Sequence, residues 1–137
     1  VRGAIPNSMP LFVRISATDW VEGGWDLEQS TQLATLLKDA GVDLIDVSSA
    51  GLSDKQEVIA GPGFQVPFAT AIRQSTGILT SGVGLITTPE QSDAVIREGK
   101  ADAVLAASIF HFGKFTVGDA KAHLASQGIP VREAYRG

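Results

Sequence analysis

Short continuous runs of apolar residues alternate along this chain with segments of helical periodicity. The runs predict strands at residues 11–16, 42–48, 78–83 and 103–107. The first run, with one embedded charge, is typical of a strand buried on both faces of a parallel sheet. The segments between and after them predict helices at 27–40, 66–75, 89–98 and 117–126. This strict alternation of strand and helix predicts an α/β fold.

The helix ends carry their own signals. Asp26 is typical of an N-cap, and Gly41 is typical of a stop after the first helix. Pro67 and Pro89 fall in first turns, where proline is tolerated. The apolar face of the first helix is predicted to consist of Leu33, Leu36, Leu37 and Ala40.

An internal repeat bears on the topology. Residues 40–43, before the second predicted strand, match residues 98–102 before the fourth, and a serine follows the apolar run of each of these strands. Four βα units with a two-unit repeat predict one domain over residues 1–137, a (βα)4 half of a (βα)8 barrel. An open doubly wound sheet has the same element order and remains the alternative.

Small residues end the third and fourth predicted strands, at 80–84 and 106–108. The carboxyl ends of parallel strands meet at one edge, and small residues there let a phosphate reach backbone N–H groups. We therefore predict a phosphate cradle of Gly82, Gly84, Ala107 and Ser108. The alternative interpretation is that the glycines only end strands and form turns.

Composition excludes several classes of function. The 11 Lys and Arg residues are scattered and the formal net charge is -4, which argues against a nucleic-acid partner. No apolar run approaches the ~20 residues of a membrane span. The absence of cysteine removes disulfides and thiolate sites, and it is compatible with a cytoplasmic protein.

Other polar residues favour structural roles. His111 and His123 have no second ligand at metal-binding spacing, so no metal site is predicted. Asp43 and Asp102 precede strands and are expected to act as caps at the edge of a barrel that serves stability. Ser48 has no nearby histidine to act as its base, so no serine nucleophile is predicted.

Four motifs resemble the old yellow enzyme family, the FMN-dependent NADPH dehydrogenases or ene-reductases built on a (βα)8 barrel. They are PLFVRISATDW at 10–20, GVDLIDVSS at 41–49, FQVPFA at 64–69 and GVGLIT at 82–87. The resemblance covers about residues 1–102 and implies the fifth to seventh strands of that barrel.

From residue 101 onward the resemblance changes. ADAVLAASIFHF at 101–112 and QGIPVR at 127–132 resemble the last βα unit of the cyclase subunit of imidazole glycerol phosphate synthase, another (βα)8 barrel. The chain therefore resembles a half-barrel joined from two barrel families, which favours an engineered chimera over a natural protein.

The two resemblances imply a ligand and residues that bind it. Arg14 matches an arginine that contacts the flavin ring, although it could instead pair with Asp46 or Asp19. Ala107 and Ser108 fall where the first family binds the FMN phosphate with a Gly-Arg pair and where the second binds a substrate phosphate through its backbone. FMN, or otherwise another phosphate-bearing small molecule, is thus the expected ligand.

The resemblance also implies what is missing. The histidine pair, the active-site tyrosine and the loops over the flavin belong to the first four units of the family, so independent ene-reductase activity and catalytic residues are not expected. A half-barrel leaves two open sheet edges and an apolar inner face, which favours a homodimer that closes the barrel with two phosphate sites. The alternative function is self-association alone, without catalysis.

Overall fold

Strands and helices alternate along the chain as the sequence predicts. The computed structural model describes residues 1–98 and 100–132. A short 3-10 helix, Arg2–Ala4, precedes the first strand. The strands are β1 (Phe12–Ser16), β2 (Leu44–Ser48), β3 (Leu79–Gly82) and β4 (Ala103–Val104). The helices are α1 (Leu27–Asp39), α2 (Val66–Thr76), α3 (Pro89–Arg97), α4 (Ser108–His111) and α5 (Val117–Ser126).

The sheet is parallel throughout, and its strand order follows the chain, β1-β2-β3-β4. Helix α1 packs against α2, and α3 packs against α5. A doubly wound sheet needs a point where the strand order reverses, and this sheet has none. The half-barrel type of α/β fold is therefore confirmed, and the doubly wound alternative is wrong.

The two faces of the sheet differ in burial. Ile45 and Val47 of β2 are fully buried and belong to the core under the helices. Phe12, Leu44 and Leu79 share the opposite face, where Phe12 is 60% and Leu79 50% exposed, although Leu44 between them is buried. The prediction that the first strand is buried on both faces is therefore wrong, because no helix covers this side of β1. We call this second face the open face; its next row consists of Arg14, Asp46 and Ser81.

The predicted helix ends are confirmed by their capping bonds. The Asp26 carboxylate accepts a hydrogen bond from the Gln29 amide at 2.9 Å, and the Gln29 side chain accepts one from the Asp26 amide at 3.1 Å. This reciprocal capping box satisfies two N–H groups at the start of α1. Gly41 follows the helix at φ +85°, a conformation that favours glycine.

The predicted core face of α1 is partly wrong, because the helix is rotated about its axis from the predicted orientation. Leu37 packs against the core as predicted, but Leu36 is 66% exposed and Ala40 is also exposed. Ala34 is instead fully buried, and Leu27 packs against the core. Buried Ser30 explains the rotation, because its hydroxyl donates to the Ala17 carbonyl at 2.8 Å and accepts the Trp25 indole N–H at 2.6 Å. These two polar bonds orient the helix in a way that apolar periodicity does not reveal.

Strand β4 is shorter than predicted. The expected strand at 103–107 contains only Ala103–Val104, because β3 ends at Gly82 and offers no further partner after the bond from the Leu105 amide to the Gly82 carbonyl at 2.9 Å. The chain then enters α4, a four-residue helix that the sequence did not predict. The sequence also predicts a polar tail at residues 131–137, and from residue 133 onward it lies outside the described residues.

The two copies of the sequence repeat, at residues 40–43 and 98–102, make the same contacts through their aspartates. The amide of Asp43 donates to the Leu11 carbonyl at 2.9 Å, and its carboxylate accepts the Leu11 amide at 2.7 Å. Asp102 forms the same pair with Thr80, at 2.8 and 3.0 Å. Each carboxylate also binds an arginine, Arg2 at 3.2 Å and Arg73 at 2.8 Å respectively. The structural role predicted for these two aspartates is confirmed.

The charge of Asp102 links folding to pH. Burial alone would raise the pKa of this carboxyl, but the hydrogen bonds from Arg73 and from the Thr80 amide, together with the Arg73 charge, outweigh burial and hold the pKa below its ordinary value. The unfolded chain therefore binds a proton more readily than the folded one. The stabilisation is fully present above the unfolded pKa of about 3.9 and is lost as pH falls through the folded pKa.

We expect Asp102→Asn to lower the free energy of unfolding at pH 7 by about 1 kcal/mol, because the charged bond to Arg73 is lost while an acceptor for Thr80 remains. The variant should also lose less stability than the wild type between pH 5 and pH 3 in urea titrations. Asp54→Asn, at an exposed loop position, serves as the control and should behave like the wild type. Equal acid sensitivity in Asp102→Asn and the wild type would contradict this account.

Candidate functional site

The carboxyl ends of the four strands meet at one edge of the sheet, which we call the carboxyl edge. It consists of the first loop (17–26), the second loop (49–65), the third loop (83–88) and the fourth loop (105–107). Among the described residues, three non-glycine residues have a left-handed backbone: Trp20 (φ 55°), Ala50 (φ 70°) and Leu85 (φ 50°). Each such residue costs about 1 kcal/mol, so surrounding contacts must hold the loops that carry them.

Backbone hydrogen bonds join the first three loops. The Ala50 amide donates to the Thr18 carbonyl at 3.0 Å, and the Glu57 amide donates to the Trp20 carbonyl at 3.0 Å. The Gly63 amide donates to the Gly84 carbonyl at 2.7 Å, which ties the second loop to the third. The first three loops of the carboxyl edge therefore form one connected layer rather than a set of independent loops.

A side-chain network runs through the same layer. The Trp20 indole N–H donates to the Ser49 hydroxyl at 3.0 Å, and that hydroxyl donates to Gln65 Oε1 at 2.8 Å. The Trp20 ring meets Phe68 edge-on, with centroids 5.6 Å apart. Sequence reasoning missed Trp20 and Gln65 as parts of the site. The available signal was a polar glutamine directly before the apolar start of a predicted helix.

Arg14 lies on the open face and forms an ion pair. Its Nε donates to Asp46 Oδ2 at 2.6 Å, so of the two suggested partners Asp46 is the observed one. Asp19 instead accepts the Trp25 amide at 3.0 Å. The Arg14 side chain is 54% exposed, and its guanidinium can therefore meet a ligand while it stays paired. The buried Oδ1 of Asp46 has no hydrogen-bond partner among the described residues.

The two candidate glycines of the third strand end are both closely packed. A Cβ on Gly82 would lie 3.1 Å from Val95 Cγ1, so this glycine lets α3 approach the sheet. Gly84 has φ +108°, and a Cβ there would lie 2.9 Å from both Phe64 Cε1 and Gln65 Nε2. Packing and turn geometry thus account for both glycines. The N–H of buried Gly84 nevertheless has no partner among the described residues.

Ala107 and Ser108 lie exposed where the fourth loop enters α4. The Ala107 carbonyl accepts the His111 amide at 2.9 Å, and the Ser108 carbonyl accepts the Phe112 amide at 2.9 Å. Their own amides have no partner within the part of the chain that the structure describes. Because β3 and β4 are neighbours, the structure brings these two residues and Gly84 to adjacent strand ends.

The two histidines lie away from the carboxyl edge's proposed ligand residues or pack against neighbouring side chains. His111 makes an edge contact with Phe112, with centroids 4.9 Å apart, and His123 lies on α5. Over residues 1–98 and 100–132, no group of three or more metal-ligating side chains comes together. In the same residues no helix has the length and apolarity that crossing a membrane requires.

The packing of Gly84 generates a prediction. We expect Gly84→Ala to lower the free energy of unfolding by about 2–4 kcal/mol, because a left-handed backbone and contacts with Phe64 and Gln65 both oppose a Cβ. Gly51→Ala separates the two causes, since Gly51 has φ +91° with open space around it, and it should cost about 1 kcal/mol. Chemical denaturation measures both, and equal losses would show that the contacts with Phe64 and Gln65 are unimportant.

Comparison with known proteins gives partial matches to one kind of enzyme. No protein-family model matches the chain. The chain is 44% identical over 96 residues to an NADPH dehydrogenase of Listeria innocua, 45% over 95 residues to one of Bacillus pumilus, and 46% over 98 residues to one of a Geobacillus species. These matches cover 70%, 69% and 72% of the chain but only 28% of each relative. Over about two thirds of its length, the chain is therefore similar to a limited part of bacterial NADPH dehydrogenases.

Proposed function

We propose that the carboxyl edge binds a phosphate-bearing small molecule, with FMN as the expected ligand. The observation that carries this proposal is the group of unpartnered backbone amides at Gly84, Ala107 and Ser108, on the ends of two adjacent strands. Gly84 is buried, and a buried N–H without an acceptor is costly. Ala107 and Ser108 are exposed at the start of α4, so their N–H groups are open to water or to phosphate oxygens, which are strong acceptors. Exposed Ala107 and Ser108 leave room for a phosphate to approach the backbone.

Arg14 extends the proposed site from the edge onto the open face. Its half-exposed guanidinium keeps a positive charge beside Asp46, in the middle of the sheet. When bound, FMN would supply hydride chemistry, and a fixed positive charge near the ring favours the reduced, anionic flavin. Gly82 shapes the path of the β3 backbone and does not itself touch the ligand, because a Cβ at this position would point into the helix layer.

We propose that this region derives from a flavin oxidoreductase. The chain spans 28% of the NADPH dehydrogenases that it matches, so the activity of those whole enzymes is not assigned to these residues. The residues of the carboxyl edge are assigned ligand binding.

We further propose that the chain is a chimera of two barrel families. The matches with NADPH dehydrogenases cover 95 to 98 of 137 residues. The resemblance of residues 101–112 to the imidazole glycerol phosphate synthase cyclase accounts for the part beyond β3. The change from one resemblance to the other falls at the start of β4. In both resemblances the residues that match phosphate-binding positions, Ala107 and Ser108, follow the end of that strand.

A second candidate function is self-association into a closed barrel. Parallel sheets in proteins are normally covered on both faces, yet Phe12 and Leu79 on the open face are 60% and 50% exposed. Strands β1 and β4 are both edges of the sheet. A second copy related by a twofold axis would pair β1 of each copy with β4 of the other and cover both open faces.

The phosphate proposal predicts a charge effect at Ser108. In isothermal titration calorimetry, the wild type should bind FMN at least about tenfold more tightly than riboflavin, which lacks the phosphate. A tenfold ratio corresponds to a difference of about 1.4 kcal/mol in binding free energy. Ser108→Glu should abolish this preference, because its carboxylate repels the phosphate from the same amides. Ser108→Ala, the matched control, keeps the amides and should keep the preference.

Two results would overturn the phosphate proposal. One is equal affinity of the wild type for FMN and riboflavin. The other is an unchanged FMN affinity in Ser108→Glu, which would place the phosphate elsewhere. Both variants change an exposed residue, so thermal denaturation should show them as stable as the wild type.

The self-association proposal predicts a concentration-dependent dimer in analytical ultracentrifugation. Phe12→Lys should weaken the dimer by at least about tenfold, because it places a charge on the apolar row of the open face. Leu36→Lys is the control, since Leu36 is 66% exposed on the helix layer, and it should dimerise like the wild type. A wild-type monomer at all concentrations, or equal weakening by both variants, would contradict closure through the open face.

A further inference from the structure

Gln65 is the polar side chain most deeply placed in the carboxyl edge. It is 5% exposed and lies at the N-cap of α2, where its side chain makes no capping bond. Its Oε1 instead accepts hydrogen bonds from the Ser49 hydroxyl at 2.8 Å and the Ser48 hydroxyl at 3.3 Å. Both acceptor positions of this oxygen are thereby used, which fixes the orientation of the amide.

The first loop is connected to Gln65 through Ser49. The Ser49 hydroxyl accepts the Trp20 indole N–H at 3.0 Å while it donates to Gln65. Trp20 has a left-handed backbone conformation, so this hydrogen-bond relay restrains the strained part of the first loop. The Trp20 ring also approaches Phe64, the neighbour of Gln65, with centroids 6.4 Å apart.

The third loop is connected to Gln65 through Gly84. The Gln65 Nε2 would lie 2.9 Å from a Cβ on Gly84, so the amide packs directly against this glycine. The bond from the Gly63 amide to the Gly84 carbonyl, at 2.7 Å, runs beside the same contact. One buried side chain therefore contacts the second loop directly, the first through a hydroxyl relay, and the third by packing.

We propose that Gln65 is a positioning residue that holds the first three loops of the carboxyl edge in a single arrangement and so orients the Gly84 amide towards a bound phosphate. The loop-ordering part of this inference stands on the hydrogen bonds and the packing alone. The phosphate part rests on the proposed function. Removal of Gln65 Oε1 leaves two hydroxyls and the Trp20 relay without their shared acceptor, and the left-handed residues of the loops lose a common restraint.

Hydrogen exchange measured by mass spectrometry tests the loop-ordering part on the intact chain. Gln65→Leu should raise amide exchange by about tenfold in all three loops, at 17–26, 49–65 and 83–88. Gln91→Leu is the matched control, because among the described residues the Gln91 side chain accepts bonds from the third loop alone, from the Thr87 amide at 2.6 Å and the Thr87 hydroxyl at 3.3 Å. It should raise exchange at 83–88 alone. Faster exchange confined to 61–66 in Gln65→Leu would overturn the inference.

A smaller change keeps the inference testable if Gln65→Leu fails to fold. Ser49→Ala removes the relay but leaves Gln65 and its contact with Gly84 in place. In this variant exchange should rise at 17–26 and 49–60 and stay unchanged at 83–88. Trp20 fluorescence in a Trp25→Phe background should shift to the red in Ser49→Ala as in Gln65→Leu. An unchanged emission spectrum in Ser49→Ala would show that the relay does not hold Trp20.

Ligand titration separates this inference from the proposed function. If the wild type prefers FMN to riboflavin, the FMN affinity of Gln65→Leu should be about tenfold lower than that of the wild type. The affinity of Gln91→Leu should be lower by less than about fivefold. An FMN affinity that stays unchanged in Gln65→Leu, despite faster exchange in the loops, would overturn the phosphate part alone. If the wild type shows no preference for FMN, the proposed function fails, and the exchange pattern still decides the role of Gln65.

Discussion

Parallel pairing in chain order is the constraint on which the rest of this structure depends. Each strand needs a crossover helix, and because the strand order never reverses, those helices cover the face of Ile45 and Val47 and leave the face of Phe12 and Leu79 without cover. The same pairing brings all four carboxyl ends to one edge. The proposed ligand site, the proposed interface and the strained loops are therefore three consequences of one topology.

Much of this arrangement could be predicted from the sequence because local chemistry and topology agree. Apolar runs marked the strands, and Asp26, Pro67 and Pro89 marked where helices begin. The repeated aspartates marked the amino edge of β2 and β4. The predictions that failed concern residues whose contacts are with partners distant in the sequence. The rotation of α1 is set by the bond from the Ser30 hydroxyl to the Ala17 carbonyl and the bond from the Trp25 indole N–H to Ser30. Strand β4 is short because β3 ends at Gly82.

The strand ends that carry the proposed site could be predicted, but the surroundings of its residues could not. Small residues identified the strand ends, and Ala107 and Ser108 lie exposed after β4. A sequence cannot tell a glycine that meets a ligand from one that admits a neighbour, and the surroundings of Gly82 and Gly84 are crowded by Val95 and Phe64. The Trp20, Ser49 and Gln65 network escaped notice because its members are separated by up to 45 positions and become neighbours only through parallel pairing.

The aspartates at the amino ends of β2 and β4 join alternate pairs of strands. Asp43 joins β1 to β2 and Asp102 joins β3 to β4, but the strand register places Ile78 opposite Asp43, so among the described residues no such carboxylate joins β2 to β3. Each aspartate also has its arginine on its own side of the loop between β2 and α2, Arg2 before it and Arg73 after it. An exchange of strand pairs between copies at this loop would leave both aspartate contacts intact and would have to re-form the hydrogen bonds of Gln65 and of Lys38 with Thr76.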